Sequence, residues 1–159
     1  MKRIFSLLFV ILIISCTSEK KHIWVLDNEK VLTPAQVEKL DSLFKSHEKN
    51  TTNEIALVTT PDYSPDSSIV SFAINFGKKY GVGKNGKDNG VIIVFSGAKH
   101  ETRIATGLGT EKILKDAIAK QIIDSIMIPY FKEGKNFEGL WEGSKAVVEF
   151  LEKPENRIK

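Results

Sequence analysis

Lys87-Asp88-Asn89-Gly90-Val91-Ile92-Ile93-Val94-Phe95 decides the fold. Its first half closes an irregular stretch, Gly81 to Gly90, that packs four glycines and two asparagines into ten residues. Such a composition asks for special backbone angles and predicts a loop. Its second half is an unbroken apolar run rich in β-branched residues, the pattern of a strand buried on both faces. Glu54 to Thr60 has the same character and predicts a second buried strand. After a turn over Ser96 to His100, Glu101 to Thr106 alternates as an adjacent hairpin strand.

Helical patterns fill the intervals. Thr33-Pro34-Ala35-Gln36 supplies a cap, a proline at the first helical position and a glutamine three residues after the cap. Val37, Leu40, Leu43, Phe44 and His47 follow at helical spacing, so a helix is expected from Pro34 to about Glu48. Asp66 or Ser67 is expected to cap a second helix carrying Ile69, Phe72, Ala73, Phe76 and Tyr80. With Thr110 as a candidate cap, a long pattern runs from Ile113 through Ile126 until Pro129. A last helix spans about Phe137 to Glu152. Helices alternating with buried strands, interrupted by one hairpin, predict a single α/β domain: a three-layer α/β/α sandwich with a mixed sheet.

The chain of 159 residues suits one domain. Residues 1–15 read as a lipoprotein signal peptide: Lys2 and Arg3 precede an apolar stretch, Ile4 to Ile14, broken only by Ser6. That stretch is about half of the ~20 apolar residues a spanning helix needs. It ends Ile13-Ile14-Ser15-Cys16, like a bacterial lipobox, and Cys16 is the single cysteine. The expected organisation is a lipidated Cys16 with a short tether over 16–23, a folded domain over 24–152 and a polar tail over 153–159. The protein would then be exported and held at a membrane through a palmitate-type lipid on Cys16, facing the periplasm or the cell exterior. A lone cysteine excludes an internal disulfide and a thiolate metal site. Without residues 1–15 the basic residues fall from 23 to 21 against 20 acidic ones, which leaves no excess to neutralise the phosphates of a nucleic acid.

Few motifs carry chemistry. Gly83-Lys84-Asn85-Gly86-Lys87 lacks the ending of a phosphate loop and precedes a strand where a helix is required. Gly107-Leu108-Gly109 follows a strand, but Lys112 stands where a dinucleotide fingerprint needs its third glycine. Its glycines suit a tight turn that comes close to a neighbour. His22, His47 and His100 are scattered, and no serine sits in a nucleophile elbow. Asp88, Glu111 and Asp116 lie in or just after loops bordering the central strands, and Asp27 is expected to reach the same edge. Oxygen ligands without cysteine or clustered histidine suit calcium, with magnesium the alternative. The same residues also suit plainer roles as an Asx-turn, a helix first-turn acid and a solvated surface acid. Arg103, inside the hairpin strand, is a candidate to bind an anion or to pair with a carboxylate.

Taken together, Lys87 to Val94, Arg103-Ile104-Ala105-Thr106-Gly107-Leu108-Gly109, Glu111, Leu114 and Asp116-Ala117 resemble the TPM domain family. Asp27 with Leu32-Thr33 resembles its opening, and Ile128-Pro129-Tyr130-Phe131 with Gly134 and Phe137 to Gly139 its closing segment. The resemblance covers about Trp24 to Leu151. It implies a three-layer domain outside the cytoplasm, often membrane-tethered, with an acidic calcium-type site at the positions of Asp27, Asp88, Glu111 and Asp116. Two functions follow as expectations. One is a metal-binding accessory or interaction module that serves membrane-protein complexes of the cell envelope; the other is a metal-assisted, phosphatase-like phosphomonoesterase in which Arg103 binds the anion.

Overall fold

A computed structural model describes residues 23–156. The expected signal peptide, Cys16 and most of the tether therefore lie outside the described residues, as does the end of the tail. Four strands form one sheet in the order β1-β2-β3-β4: β1 (Val25–Asp27), β2 (Glu54–Thr59), β3 (Gly90–Ser96) and β4 (Glu101–Thr106). The first three are parallel, and β4 returns antiparallel beside β3. The sheet is mixed, as the alternation of patterns predicted, and the domain is a single α/β unit.

Strand alternation sorts the core into two layers. Ile55, Leu57, Val91, Ile93, Phe95 and Ile104 face one side, where they meet Leu40 and Phe44 of α1 (Pro34–Thr51) and Leu140, Val147 and Leu151. The latter three belong to the long C-terminal helix Asn136–Glu152. Ala56, Val58, Ile92 and Val94 face the other side and pack on Ala73 and Phe76 of α2 (Ile69–Tyr80). Every residue of β2 and β3 is buried, which is why both segments read as continuous apolar runs. The strand order runs steadily from β1 to β3 while α1 and α2 lie on opposite faces. The two crossovers therefore have opposite hands, and one departs from the right-handed rule that holds in ~98% of such connections.

The capping box of α1 forms as the sequence predicted. Thr33 Oγ1 accepts from the Gln36 N–H, and the Gln36 side chain accepts from the Thr33 N–H. The cap of α2 is Ser68, one to two residues beyond the expected position, because Ser68 and Ser71 form a reciprocal pair of their own.

The largest departure follows β4. A separate short helix, α3 (Leu108–Glu111), comes first, and the expected long helix then runs without a gap from 116 to 132 as α4 (Asp116–Ile122), a π-helical turn (Ile123–Met127) and α5 (Ile128–Lys132), with the C-terminal helix as α6. Thr110 is no cap; it is buried within α3, whose N-cap is Gly107. Pro129 does not end the helix: it follows directly on the π-helical turn, whose local departure from the α ladder goes with its missing N–H.

Candidate functional site

The register fixes which residues share an end of the sheet. Asp27 aligns with Thr59, Thr59 with Phe95, and Phe95 with Thr102. At the other end Glu54 aligns with Gly90, and Val91 with Thr106. Asp88 and Glu111 flank this second end, so Asp27 is separated from them by the length of β2, about 17 Å at the usual rise. The expectation that Asp27 reaches the same edge is corrected by the parallel topology. Its carboxylate holds the chain after β1: Oδ2 accepts from the Leu32 N–H at 2.8 Å, while Oδ1 accepts from the Val31 N–H and the Thr59 hydroxyl. Beside it, both oxygens of Glu29 accept from the N–H groups of Gly97 and Ala98, and the Tyr63 hydroxyl donates to Glu101 at 3.0 Å. Burial, then Glu101, pushes the Tyr63 phenol up to about 12.

At the opposite end the glycine-rich loop is held by a polar network. Glu54 is only 4% exposed, yet it accepts the Gly83 N–H at 2.7 Å and pairs with the Lys84 ammonium at 2.5 Å. Lys84 also pairs with Glu48, and the bonds to Glu48 and Glu54 raise its pKa. Asn89, fully buried, accepts from the Lys84 N–H and donates to Thr52 O and Asn53 Oδ1. Sequence reasoning missed Glu54 as an anchor. Its signal was an acid opening an otherwise apolar strand, a residue that burial tolerates only when paired.

This network presents Lys87-Asp88 to the turn after β4. Asp88 adopts a φ of 48°, and its carbonyl accepts from the Gly109 N–H at 3.0 Å. A Cβ on Gly107 would lie 2.3 Å from Asp88 O, and one on Gly109 would lie 1.9 Å from Lys87 O. The two glycines are thus the contact surface for the loop, the close approach that the Gly107-Leu108-Gly109 spacing predicted. Glu111 stands one turn further on, exposed at the end of α3. The carboxylates of Asp88 and Glu111 hold no protein partner among the described residues. No group of three or more His, Cys, Asp or Glu side chains converges for a metal ion among the described residues.

Asp116 opens α4 and is bound by another predicted site residue. Arg103 Nη2 contacts Asp116 Oδ1 at 3.1 Å, so the arginine pairs with an internal carboxylate, one of the two fates open to it from the sequence. Arg103 Nε is buried without a partner. The pair borders an open groove of about 1140 Å3 along β4, walled by Ile69 and Val70 on one side and by Ile123, Ile128 and Phe131 on the other. The sequence did not signal this groove, because its far wall includes the π-helical turn.

Comparisons agree with this architecture. The family model described as the TPM domain matches residues 25–150. The N-terminal domain of a protein from P. gingivalis, solved by solution NMR, superposes with a TM-score of 0.75 at 30% identity, covering 85% of each chain. The BA42 protein from the psychrophilic bacterium Bizionia argentinensis gives a TM-score of 0.66 at 20% identity, covering 79% of this chain and 85% of that one. The N-terminal domain of the cg2496 protein from Corynebacterium glutamicum gives 0.63 at 10% identity, covering 81% and 80%. These last two show likeness of fold alone. No curated protein matches the chain. With a family model spanning almost the entire described domain, and a 30% identical neighbour of the same architecture, the chain belongs to the TPM domain family.

Proposed function

We propose that this TPM domain is a binding module of the cell envelope, tethered to a membrane through lipid on Cys16, that takes up a divalent cation of the calcium type where the Asp88 loop meets the turn after β4. One observation carries the reading: Asp88 and Glu111 are brought to one end of the sheet by the Gly109–Asp88 backbone bond, with both carboxylates uncommitted among the described residues. A loop carboxylate and one at a helix end, with backbone carbonyls nearby, are hard oxygen donors of the kind calcium or magnesium accepts, water completing the coordination. Asp116 contributes only if Arg103 releases it, and Asp27 belongs to the opposite end. The chemistry such an ion supplies is charge neutralisation between two segments, which stabilises the folded state by mass action.

A phosphomonoesterase would need cation, anion clamp and nucleophile at one place. Arg103 is engaged by Asp116 in the middle of β4, away from the end where Asp88 lies, so binding is preferred over hydrolysis as the activity.

Thermal melting in calcium against chelator is the test. At ~100 times the dissociation constant one site adds ~2.7 kcal/mol, a rise of several degrees. Asp88→Asn with Glu111→Gln is expected to abolish the rise, and Asp27→Asn to retain it. Equal melting in calcium and chelator overturns the cation reading. Fatty-acid labelling tests the tether: incorporation into wild type and not into Cys16→Ser is expected, and equal incorporation contradicts it.

A further inference from the structure

The edge of β4 has an order that its register reveals. The Gly107 N–H donates to Gly90 O at 2.9 Å, which makes Gly90 and Gly107 a hydrogen-bonded pair of the antiparallel ladder. Pairs alternate along such a ladder. Ala105 with Ile92, Arg103 with Val94 and Glu101 with Ser96 are therefore hydrogen-bonded too. Thr102, Ile104 and Thr106 then turn their backbone N–H and C=O groups away from β3, Thr102 and Ile104 toward the groove, and among the described residues no loop or inter-element backbone bond takes them up. An unpaired strand edge is a template for another strand.

The groove has the cross-section of that missing strand. Successive side chains of an added strand point to opposite faces, and apolar walls stand on both: Ile69 and Val70 from α2, and Ile123, Ile128 and Phe131 from the opposite layer. Its charges select an acidic occupant. The three acids of the groove are already engaged, Glu101 by Tyr63, Asp116 by Arg103 and Asp124 by Lys120. Donor capacity remains on two cations: the guanidinium of Arg103 is bonded through Nη2 alone, its buried Nε having no partner, and Lys132 has no ion pair among the described residues.

Arg103 also guards the edge. It lies opposite Val94, on the α2 face of the sheet, yet it bonds Asp116 of α4, whose Ala119 and Ile122 pack in the other layer. Its side chain must therefore cross the edge beside Ile104, which is only 1% exposed. A single contact to an Asp116 that is 73% exposed is a weak latch, of the order of a surface ion pair.

We propose that the β4 groove receives an extended peptide of a partner protein as an added strand, an acidic side chain of the peptide taking the guanidinium of Arg103 as the latch opens. Main-chain bonds to Thr102, Ile104 and Thr106 supply affinity, and the two apolar walls with Arg103 supply selection, the division of labour usual in strand addition. The proposal rests on the reading of this domain as a binding module and is independent of its cation.

The test uses the full chain, with chelator present, and three nonapeptides of alternating valine and threonine that carry Asp, Ser or Lys at the centre. The Asp peptide is expected to bind at least about tenfold more tightly than the Ser peptide, with Arg103→Ala removing that preference. Bound peptide is expected to slow hydrogen exchange at the Thr102, Ile104 and Thr106 amides. N-methylating alternate amides of the peptide separates strand addition from any other docking: methylation on the parity facing β4 abolishes binding, and on the other parity leaves it. Thr102→Pro removes an outward N–H and none of the backbone ladder's bonds to β3, together with the Thr102 hydroxyl bond to Val94 O; relative to Thr102→Val, which loses that hydroxyl bond alone, it is expected to weaken binding with the fold intact. Binding insensitive to methylation parity, protection at other amides, no binding by any of the three peptides, or displacement of the peptide by anionic lipid vesicles at the same residues would each overturn the proposal. Loss of calcium stabilisation with peptide binding intact overturns only the cation reading.

Discussion

Replacing Gly109 by alanine is expected to loosen the junction on which the candidate cation site stands. A Cβ there would lie 1.9 Å from the Lys87 carbonyl oxygen and 3.2 Å from that of Asp88. Ordinary contact begins at 3.4 Å, so the loop must retreat by about 1.5 Å. Overpacking of this kind costs ~1–3 kcal/mol. Retreat also strains the 3.0 Å bond from the Gly109 N–H to Asp88 O, worth ~1 kcal/mol. Against this, alanine gains at most ~1 kcal/mol of helix propensity over glycine. The net loss is about 2 kcal/mol, or about 4–8 °C in melting temperature for a domain of this size. Gly86→Ala is the control. Nothing lies within 4 Å of its Cβ, and only its φ of 78° opposes the change, at ~1–2 kcal/mol. Differential scanning calorimetry of both variants, with and without calcium, separates close approach from backbone strain. Gly109→Ala is expected to lose the calcium response as well as stability, whereas Gly86→Ala loses stability alone. A Gly109→Ala protein that melts with the wild type would refute the reasoning.

Further outcomes follow from buried polar groups. Glu54→Ala removes the acceptor of the Gly83 N–H and a partner of Lys84, so chemical denaturation is expected to register a loss of ~2–3 kcal/mol; no change would mean the loop holds itself. His47 is fully buried, its pKa lowered by burial despite the Glu152 carboxylate 3.1 Å from Nδ1. The unfolded chain binds the proton that folded His47 resists, so stability falls as pH drops from its ordinary value of 6.5 toward the lowered folded value. Urea titrations at pH 7 and pH 5 are expected to show a smaller loss in His47→Gln than in wild type, and equal losses would reassign the acid sensitivity. Tyr63, pushed up to about 12, is expected to ionise only at strongly alkaline pH in an ultraviolet titration, and Glu101→Gln to bring it down.

The legible parts of this fold are those whose pattern is set by local geometry or by complete burial. Val91 to Phe95 and Ile55 to Thr59 read as strands because both faces of the sheet are covered, leaving no polar alternation to confuse the period. Thr33, Pro34 and Gln36 announced the start of α1 because a capping box is a contact between near neighbours. The segment after Gly109 hid the short α3 and the π turn, since an apolar spacing that suits a regular helix also suits a helix that carries a π turn and packs on the same core. The π turn adds one residue to the repeat without changing composition, and periodicity over so short a stretch does not register it.

The site was legible in part for a related reason. Asp88, Gly107 and Gly109 meet through a hairpin and its flanking loop, a relationship that sequence order already suggests. Asp27 depends on which end of a parallel strand points where, and on two crossovers of opposite hand, neither of which a linear pattern records. The Arg103–Asp116 pair required knowing that a residue on one face of the edge strand reaches a helix in the other layer.

Calcium titration followed by amide chemical shifts tests the central claim most directly. Saturable shifts confined to residues 87–90 and 107–111, absent in Asp88→Asn with Glu111→Gln, are the expected result. Shifts centred on Asp27 and the 28–32 turn, or no saturable change anywhere, would contradict it.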